Sequence, residues 1–174
     1  MIYMVEMDFR HPDRAAEWHD WYLRHIRVLL RVPGFRASQR FAAVVPNPSP
    51  WLALHEAAGP ALFDSEAYRT RGGPGATGEW RALQSNWHRN LLDGLAETPE
   101  VPADGHLLLL RAAREVALPE PVAVTWLRAI GLDRSIDECG LGLLADPTPF
   151  VDLARRDDRV RLYRPITAKI RAAG

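Results

Sequence analysis

Cysteine, lysine and net charge are what this chain has least of. Cys139 is the sole cysteine, so an internal disulfide and a cysteine-based metal cluster are excluded. Lys169 is the sole lysine among 22 basic residues, an arginine bias that carries no functional weight by itself. The 22 basic groups are matched by 22 acidic ones, and a formal net charge of zero argues against a nucleic-acid surface or an anionic membrane as the main partner. No apolar run reaches transmembrane length. Ile2 to Phe9 is broken by Glu6 and Asp8, which does not suit a signal peptide, so a cytoplasmic protein is expected. No HExxH, no GxSxG elbow and no carboxylate–histidine cluster is present, and no metal or cofactor is expected.

What the chain has is apolar residues, 47% of 174, enough for a real core. Six tryptophans and six histidines are the chemical interest. The segment from Asp13 to Phe35 predicts one long amphipathic helix ending at Pro33-Gly34. At about 100° per residue, Trp18, Trp21, Tyr22, His25 and Leu29 share an arc, while Asp13, Glu17, Asp20, Arg24, Arg27 and Arg31 fill the opposite face. His19 lies nearer the rim of the apolar arc.

Before this helix, Ile2 to Phe9 predicts a strand. Tyr3, Val5, Met7 and Phe9 form an apolar face suited to pack on helices; Ile2, Met4, Glu6 and Asp8 form a mixed face. After it, strands are expected over Arg36–Val45 and Trp51–Ala58, separated by the rigid Pro46, Pro48 and Pro50 loop, and a short helix over Ala61–Arg69. The glycine-rich stretch from Arg71 to Gly78 lacks the Lys-Ser/Thr of a phosphate loop and does not follow a strand; a connector or lid is expected there. Trp80, Leu83, Trp87 and Leu91 fall at helical spacing, so Glu79–Leu92 is expected to be a helix.

A first half, 1–96, is thus followed by a linker, 97–104, and a second half, 105–174. The second half predicts strands at Leu107–Leu110, Leu141–Leu144 and Val160–Ile166, with helices at Pro119–Leu132 and Pro147–Arg156. Its order echoes the first half with one strand missing. The first half has the order of a split β-α-β, ferredoxin-like unit, which covers one face of its sheet. The expected fold is therefore α+β: a ferredoxin-like dimeric α/β-barrel type, with two tandem halves in one chain closing two sheets face to face. If the second half extends the first instead, the barrel forms in a homodimer.

Short stretches then point to a family. Trp18-His19-Asp20-Trp21-Tyr22, His25-Ile26, Val32-Pro33-Gly34-Phe35, Arg40-Phe41, Trp51-Leu52-Ala53-Leu54-His55-Glu56 and Ser65-Glu66-Ala67-Tyr68 resemble the pattern of EthD-like dimeric α+β-barrel proteins. The resemblance runs through the first half. It implies small decarboxylases, cyclases, isomerases or cofactor-free oxygenases acting on hydrophobic, often aromatic or polyketide-like molecules. The family often carries an acid before the histidine matched to His25; Arg24 stands there in this chain.

His25 is the leading catalytic candidate, as a neutral imidazole beside indoles whose burial lowers its pKa. The competing reading is a core histidine bonded to a backbone carbonyl. His55, Arg40 and Glu6 are expected to add polar groups if their faces point into the barrel. Arg40 either holds a carboxylate or enolate or forms a structural ion pair with Glu6 or Glu56. Trp18, Trp21 and Tyr22 are the candidate substrate walls. Two functions follow: a lyase, isomerase or cofactor-free oxygenase for a small hydrophobic or aromatic compound, or a non-catalytic binding or assembly protein on the same scaffold. The first requires a cavity of a few hundred Å³ beside His25 or His55; the second has the indoles filling that space.

Overall fold

The computed structural model describes residues 1–173. Nine strands form: β1 (Ile2–Phe9), β2 (Phe35–Ala43), β3 (Trp51–Ala57), β4 (Gln84–Asp93), β5 (His106–Arg111), β6 (Val124–Leu132), β7 (Glu138–Leu144), β8 (Val160–Pro165) and the short β9 (Ile170–Arg171). Three α-helices accompany them: α1 (Ala15–Leu29), α2 (Glu66–Arg71) and α3 (Val151–Arg156). Around the sheet the strands run β3-β1-β4-β6-β7-β5-β8-β2, and β2 pairs back with β3. All these pairings are antiparallel. The result is a closed eight-stranded barrel, which leaves those strands no open edge. β9 lies along the start of β2. The expected pair of facing sheets is corrected to one closed sheet: β4–β6 and β2–β8 are hydrogen-bonded, joining residues from before and after 97–104. Among the described residues no helix is long and apolar enough to cross a membrane.

The alternation of β1 sets the two layers. Ile2 and Met4 point into the barrel with Leu52, Leu54, Leu107, Leu109 and Tyr163. Tyr3, Val5, Met7 and Phe9 point outward and pack on Trp18, Tyr22, Ile26 and Leu29 of α1. These four helical residues recur at intervals of three and four, so burying that stripe on the sheet holds the helix in place. Pro12 opens the approach to the helix. The helix ends at Leu29, short of the expected Pro33-Gly34, and Gly34, with φ +103°, turns the chain into β2 in a left-handed conformation that L side chains adopt only with strain.

Two expected helices are strands. Glu79–Leu92 becomes a 3-10 segment, Pro74–Arg81, followed by β4. In β4, Leu91 packs outward toward α1, with Trp87 at the rim of that cluster, while Leu92 points into the barrel. Pro119–Leu132 becomes an extended approach and β6, consistent with its β-branched Val122, Val124, Thr125 and Ile130. No long helix covers the outer face of the last strands. Ala113, Val116, Leu118 and Val122 of the stretch 112–123, with Phe150 just before α3 and Ala154 within it, cover it instead.

Residues 97–104 do not run free as a linker. Val101 is buried in the barrel core, its N–H donating to Gln39 Oε1 and its carbonyl accepting from Gln39 Nε2. Thr98 donates N–H and hydroxyl to Glu56 Oε1, which also takes Lys169 Nζ at 2.6 Å.

Candidate functional site

The outward side chains of β1, β2, β3 and β4 meet α1 and the segment 72–84, and the chemistry gathers in that layer. A small cavity of about 30 Å³ opens there, lined by Tyr3, Trp21, Tyr22, His25, His55 and Trp87 among others. His25 comes from α1 and lies parallel to Trp21, with ring centres 5.1 Å apart. His55 comes from β3, is 2% exposed, and stacks on Tyr3 at 5.2 Å. Its Nδ1 is buried with no hydrogen-bond partner.

Burial sets the protonation of both rings. His25 is pushed down to about 4 by desolvation alone. His55 falls to about 3, first by desolvation, then by the nearby His25 and Arg40. Both are therefore uncharged near neutral pH and able to accept a proton. Tyr22 is driven the other way, up to about 12, chiefly by burial, with Arg40 opposing. The phenol is then a donor and not a phenolate.

Gly72 and Gly73 form part of the floor. A Cβ on Gly72 would stand 2.5 Å from Leu29 Cδ1, so a larger residue there makes the Leu29 side chain shift. The glycine-rich stretch is thus a wall of the cavity, continued by Pro74 and Thr77.

The expected convergence of Arg40, His55 and Glu6 is only partly realised. Glu6 lies on the other side of the sheet, inside the barrel, and is fully buried. Its two carboxylate oxygens accept from Arg111 and Arg161, each at 2.5 Å. Glu6 is corrected from a substrate contact to the centre of a buried ion triad. The reason is the period of two along β1: Tyr3 and Val5 face the helix, so Glu6 cannot.

Arg40 is corrected in a second way. It forms no ion pair with Glu6 or Glu56, which are held by Arg111, Arg161 and Lys169. Its guanidinium instead lies 3.9 Å from the centre of the Tyr22 ring and 4.9 Å from that of Trp18. Those π faces offset part of the cost of burying its charge. Desolvation still lowers it to about 10. Tyr22 faces both Arg40 and His25, so the layer has two chambers: histidines on one flank of Tyr22, Arg40 on the other.

Trp18 does not line the histidine cavity. It is 0% exposed and stacked on Phe9 at 4.7 Å, with ring planes 4° apart. Its Nε1 has no partner. Of the two candidate indoles of α1, Trp21 meets the cavity, backed by Trp80 at 5.8 Å. Tyr3, Trp87 and Gln84 also line it, and sequence reasoning missed all three as site residues. For Trp87 the alternation Trp87, Arg89, Leu91 was the available signal.

No family model matches the chain, and no curated protein sequence does. A solved structure resembles it. This is the crystal structure of an anthrone oxidase-like protein, with a TM-score of 0.63 over 99% of this chain and 93% of that one, at 9% identity. At that identity the likeness is one of fold, an α+β barrel. A provisionally assigned monooxygenase from Lactobacillus acidophilus NCFM aligns at a TM-score of 0.49 and 8% identity over 99% and 98% of the two chains, too distant to carry an argument.

A roomier hollow lies elsewhere. An open groove of about 720 Å³ runs past Leu95, Pro99, Glu120, Leu143 and Phe150, outside the first half's helix layer. Its titratable side chains, Glu97, Glu120 and Asp146, are exposed. It therefore lacks the desolvated acid–base groups that mark the histidine chamber.

Proposed function

We propose that this protein is a small-molecule enzyme of the lyase, isomerase or cofactor-free oxygenase type, acting on a hydrophobic or aromatic compound. One observation carries the reading: two uncharged, desolvated histidines, His25 from α1 and His55 from β3, line one aromatic chamber. Such a ring is unprotonated at neutral pH and free to take a proton from a carbon acid or a phenol. Desolvation makes it a weaker base than a free imidazole, so it suits the more acidic of these. The substrate carbanion or phenolate then takes the proton back at another carbon, which isomerises it, or reacts with dioxygen; in a decarboxylation the carbanion forms as carbon dioxide leaves and is then protonated. Trp21 offers a flat apolar surface, and the Tyr22 phenol is the donor available to a substrate oxygen.

Tandem ferredoxin-like halves and kinship with EthD-like proteins belong to the same proposal. Their support is the repeated pairing pattern. β1 pairs with β3 and β4, and β2 with β3; β5 pairs with β7 and β8, and β6 with β7. In this arrangement the second half supplies what a partner subunit supplies in a dimeric barrel.

A chamber of about 30 Å³ holds roughly one water molecule. A ring-sized substrate therefore enters only when Trp21 or the segment 74–81 moves aside. The same tightness favours a second reading, a non-catalytic scaffold in which the indoles are packing. Dioxygen uptake and product formation with anthrone and a panel of hydroxyaromatic acids decide between them. The enzyme reading expects turnover that drops about 100-fold or more in His25→Ala or His55→Ala. Undiminished turnover in both variants removes the histidines from the chemistry. No turnover, with tryptophan fluorescence unchanged across the panel, favours the scaffold.

A further inference from the structure

Arg40 faces a second chamber that the proposed chemistry does not use. It opens on the other flank of α1 with a volume of about 260 Å³, between the helix, β2, β3 and the segment after β8. His19 and Leu23 reach it from α1, Trp51 from the start of β3, and Arg164 and Thr167 from the end of the chain. We propose that this chamber binds the carboxylate of a small aromatic acid, with Arg40 as the anchoring cation and Trp51 as the flat wall.

Arg40 is 2% exposed, yet its Nη2 has no hydrogen-bond partner. Among the described residues no carboxylate pairs with it, and no acidic side chain lines the chamber. A buried guanidinium ordinarily gains a carboxylate or phosphate in bidentate contact. Here the aromatic faces of Tyr22 and Trp18 hold the planar group in place, but they satisfy none of its N–H donors.

The surroundings favour an organic anion. Arg164 is exposed and adds a second positive charge at the rim. Thr167 Oγ1 accepts from the Arg40 backbone N–H at 3.0 Å, which leaves its own hydrogen available to donate. The half-buried His19 has an Nδ1 without a partner in the same chamber. Trp51 and Leu23 supply apolar surface that a bare inorganic anion would not use. The volume lies at the small end of ligand sites, so a single ring with one carboxylate is the expected size. Sequence position hid the site: Arg40, Trp51 and Thr167 come from three separated stretches joined only by barrel closure.

The probe is benzoate, compared with its neutral isostere benzamide by calorimetric titration and by quenching of tryptophan fluorescence. Benzoate is expected to bind at least about 10-fold tighter than benzamide. Arg40→Met keeps an unbranched side chain beside Tyr22 without the charge and is expected to abolish that preference. Arg164→Ser, at the exposed rim, is expected to weaken benzoate about 3-fold. His25→Ala is expected to leave benzoate binding unchanged, which separates this chamber from the histidine chamber. Equal affinity for benzoate and benzamide in the unaltered protein overturns the proposal. So does a preference that survives in folded Arg40→Met. If circular dichroism shows that Arg40→Met does not fold, Arg164→Ser decides, and an unchanged preference there overturns it. Inorganic phosphate binding more tightly than benzoate would show a site that reads charge alone, and the aromatic-acid assignment fails.

Discussion

Leu29 and Gly72 are in contact so close that the glycine's missing side chain is what makes it possible. A Cβ on Gly72 would lie 2.5 Å from Leu29 Cδ1 and 3.1 Å from Tyr68 Cδ2. Leu29 is 1% exposed and Tyr68 3%, and the room beside Leu29 is the cavity of about 30 Å³ that it and Gly72 both line. Gly72→Ala is expected to cost about 1–3 kcal/mol of unfolding free energy through overpacking. Shortening the neighbour should relieve it. In a Leu29→Val background the same glycine change is expected to cost less by at least about 0.5 kcal/mol, measured as a coupling energy in urea unfolding. Strict additivity of the two changes would disprove the steric account.

The triad inside the barrel gives a second expectation. Glu6 is wholly buried between Arg111 and Arg161. Glu6→Gln keeps the shape but leaves two guanidinium groups without their counter-charge, so a loss of about 3–5 kcal/mol is expected. Replacing Arg161 with Met in the same chain should recover part of it. Chemical denaturation of the single and double variants reads both effects.

Stability should also fall with acid, with His55 one of three histidines, beside His25 and His19, whose burial lowers the pKa. The folded pKa of His55 is near 3 against an ordinary 6.5, with burial the main cause. The folded state thus holds the ring uncharged while the unfolded chain protonates it. Stability is complete above about pH 6.5 and declines as pH drops from there toward 3, since the unfolded state then binds the extra proton. For one ring at pH 5 the loss is about 2 kcal/mol. His55→Leu should make the decline between pH 7 and pH 5 in denaturation midpoints shallower by roughly a third, His25 and His19 supplying the rest. A slope equal to that of the unaltered protein would show that His55 is not one of the groups responsible.

Cys139 should be inert while the barrel is closed. It is 0% exposed, and burial raises its thiol well above the usual range, with Glu6 adding to the effect. Reaction with a chromogenic disulfide reagent is expected to be at least about 100-fold slower in buffer than in guanidinium chloride. Comparable rates would mean that the β6–β7 wall opens readily.

Much of this architecture could be read along the chain, because local periodicity carries it. The two faces of β1, the amphipathic run through Trp18, Tyr22, Ile26 and Leu29, and the left-handed turn at Gly34 each depend on neighbours within a few positions. The strands at 107–110, 141–144 and 160–166 were visible as short apolar runs, and α3 as a short helix after a proline. The stretch 84–93 was not, because Trp80, Leu83, Trp87 and Leu91 satisfy a helical spacing as well as a strand can tolerate it. Only pairing with β1 and β6 decided in favour of β4.

By itself the sequence determined that the chain would bury an aromatic helix against strands, and that His25 would sit on that helix's apolar side. It could not say which face of a strand looks inward, since alternation defines two faces but not their neighbours. The closed sheet decided that Glu6 meets Arg111 and Arg161, and that Arg40 is left with aromatic rings for company. It also decided that residues more than a hundred positions apart share a chamber. Closure is a long-range event: hydrogen bonds between β2 and β8 join Phe41 to Pro165, and nothing within either segment encodes the meeting.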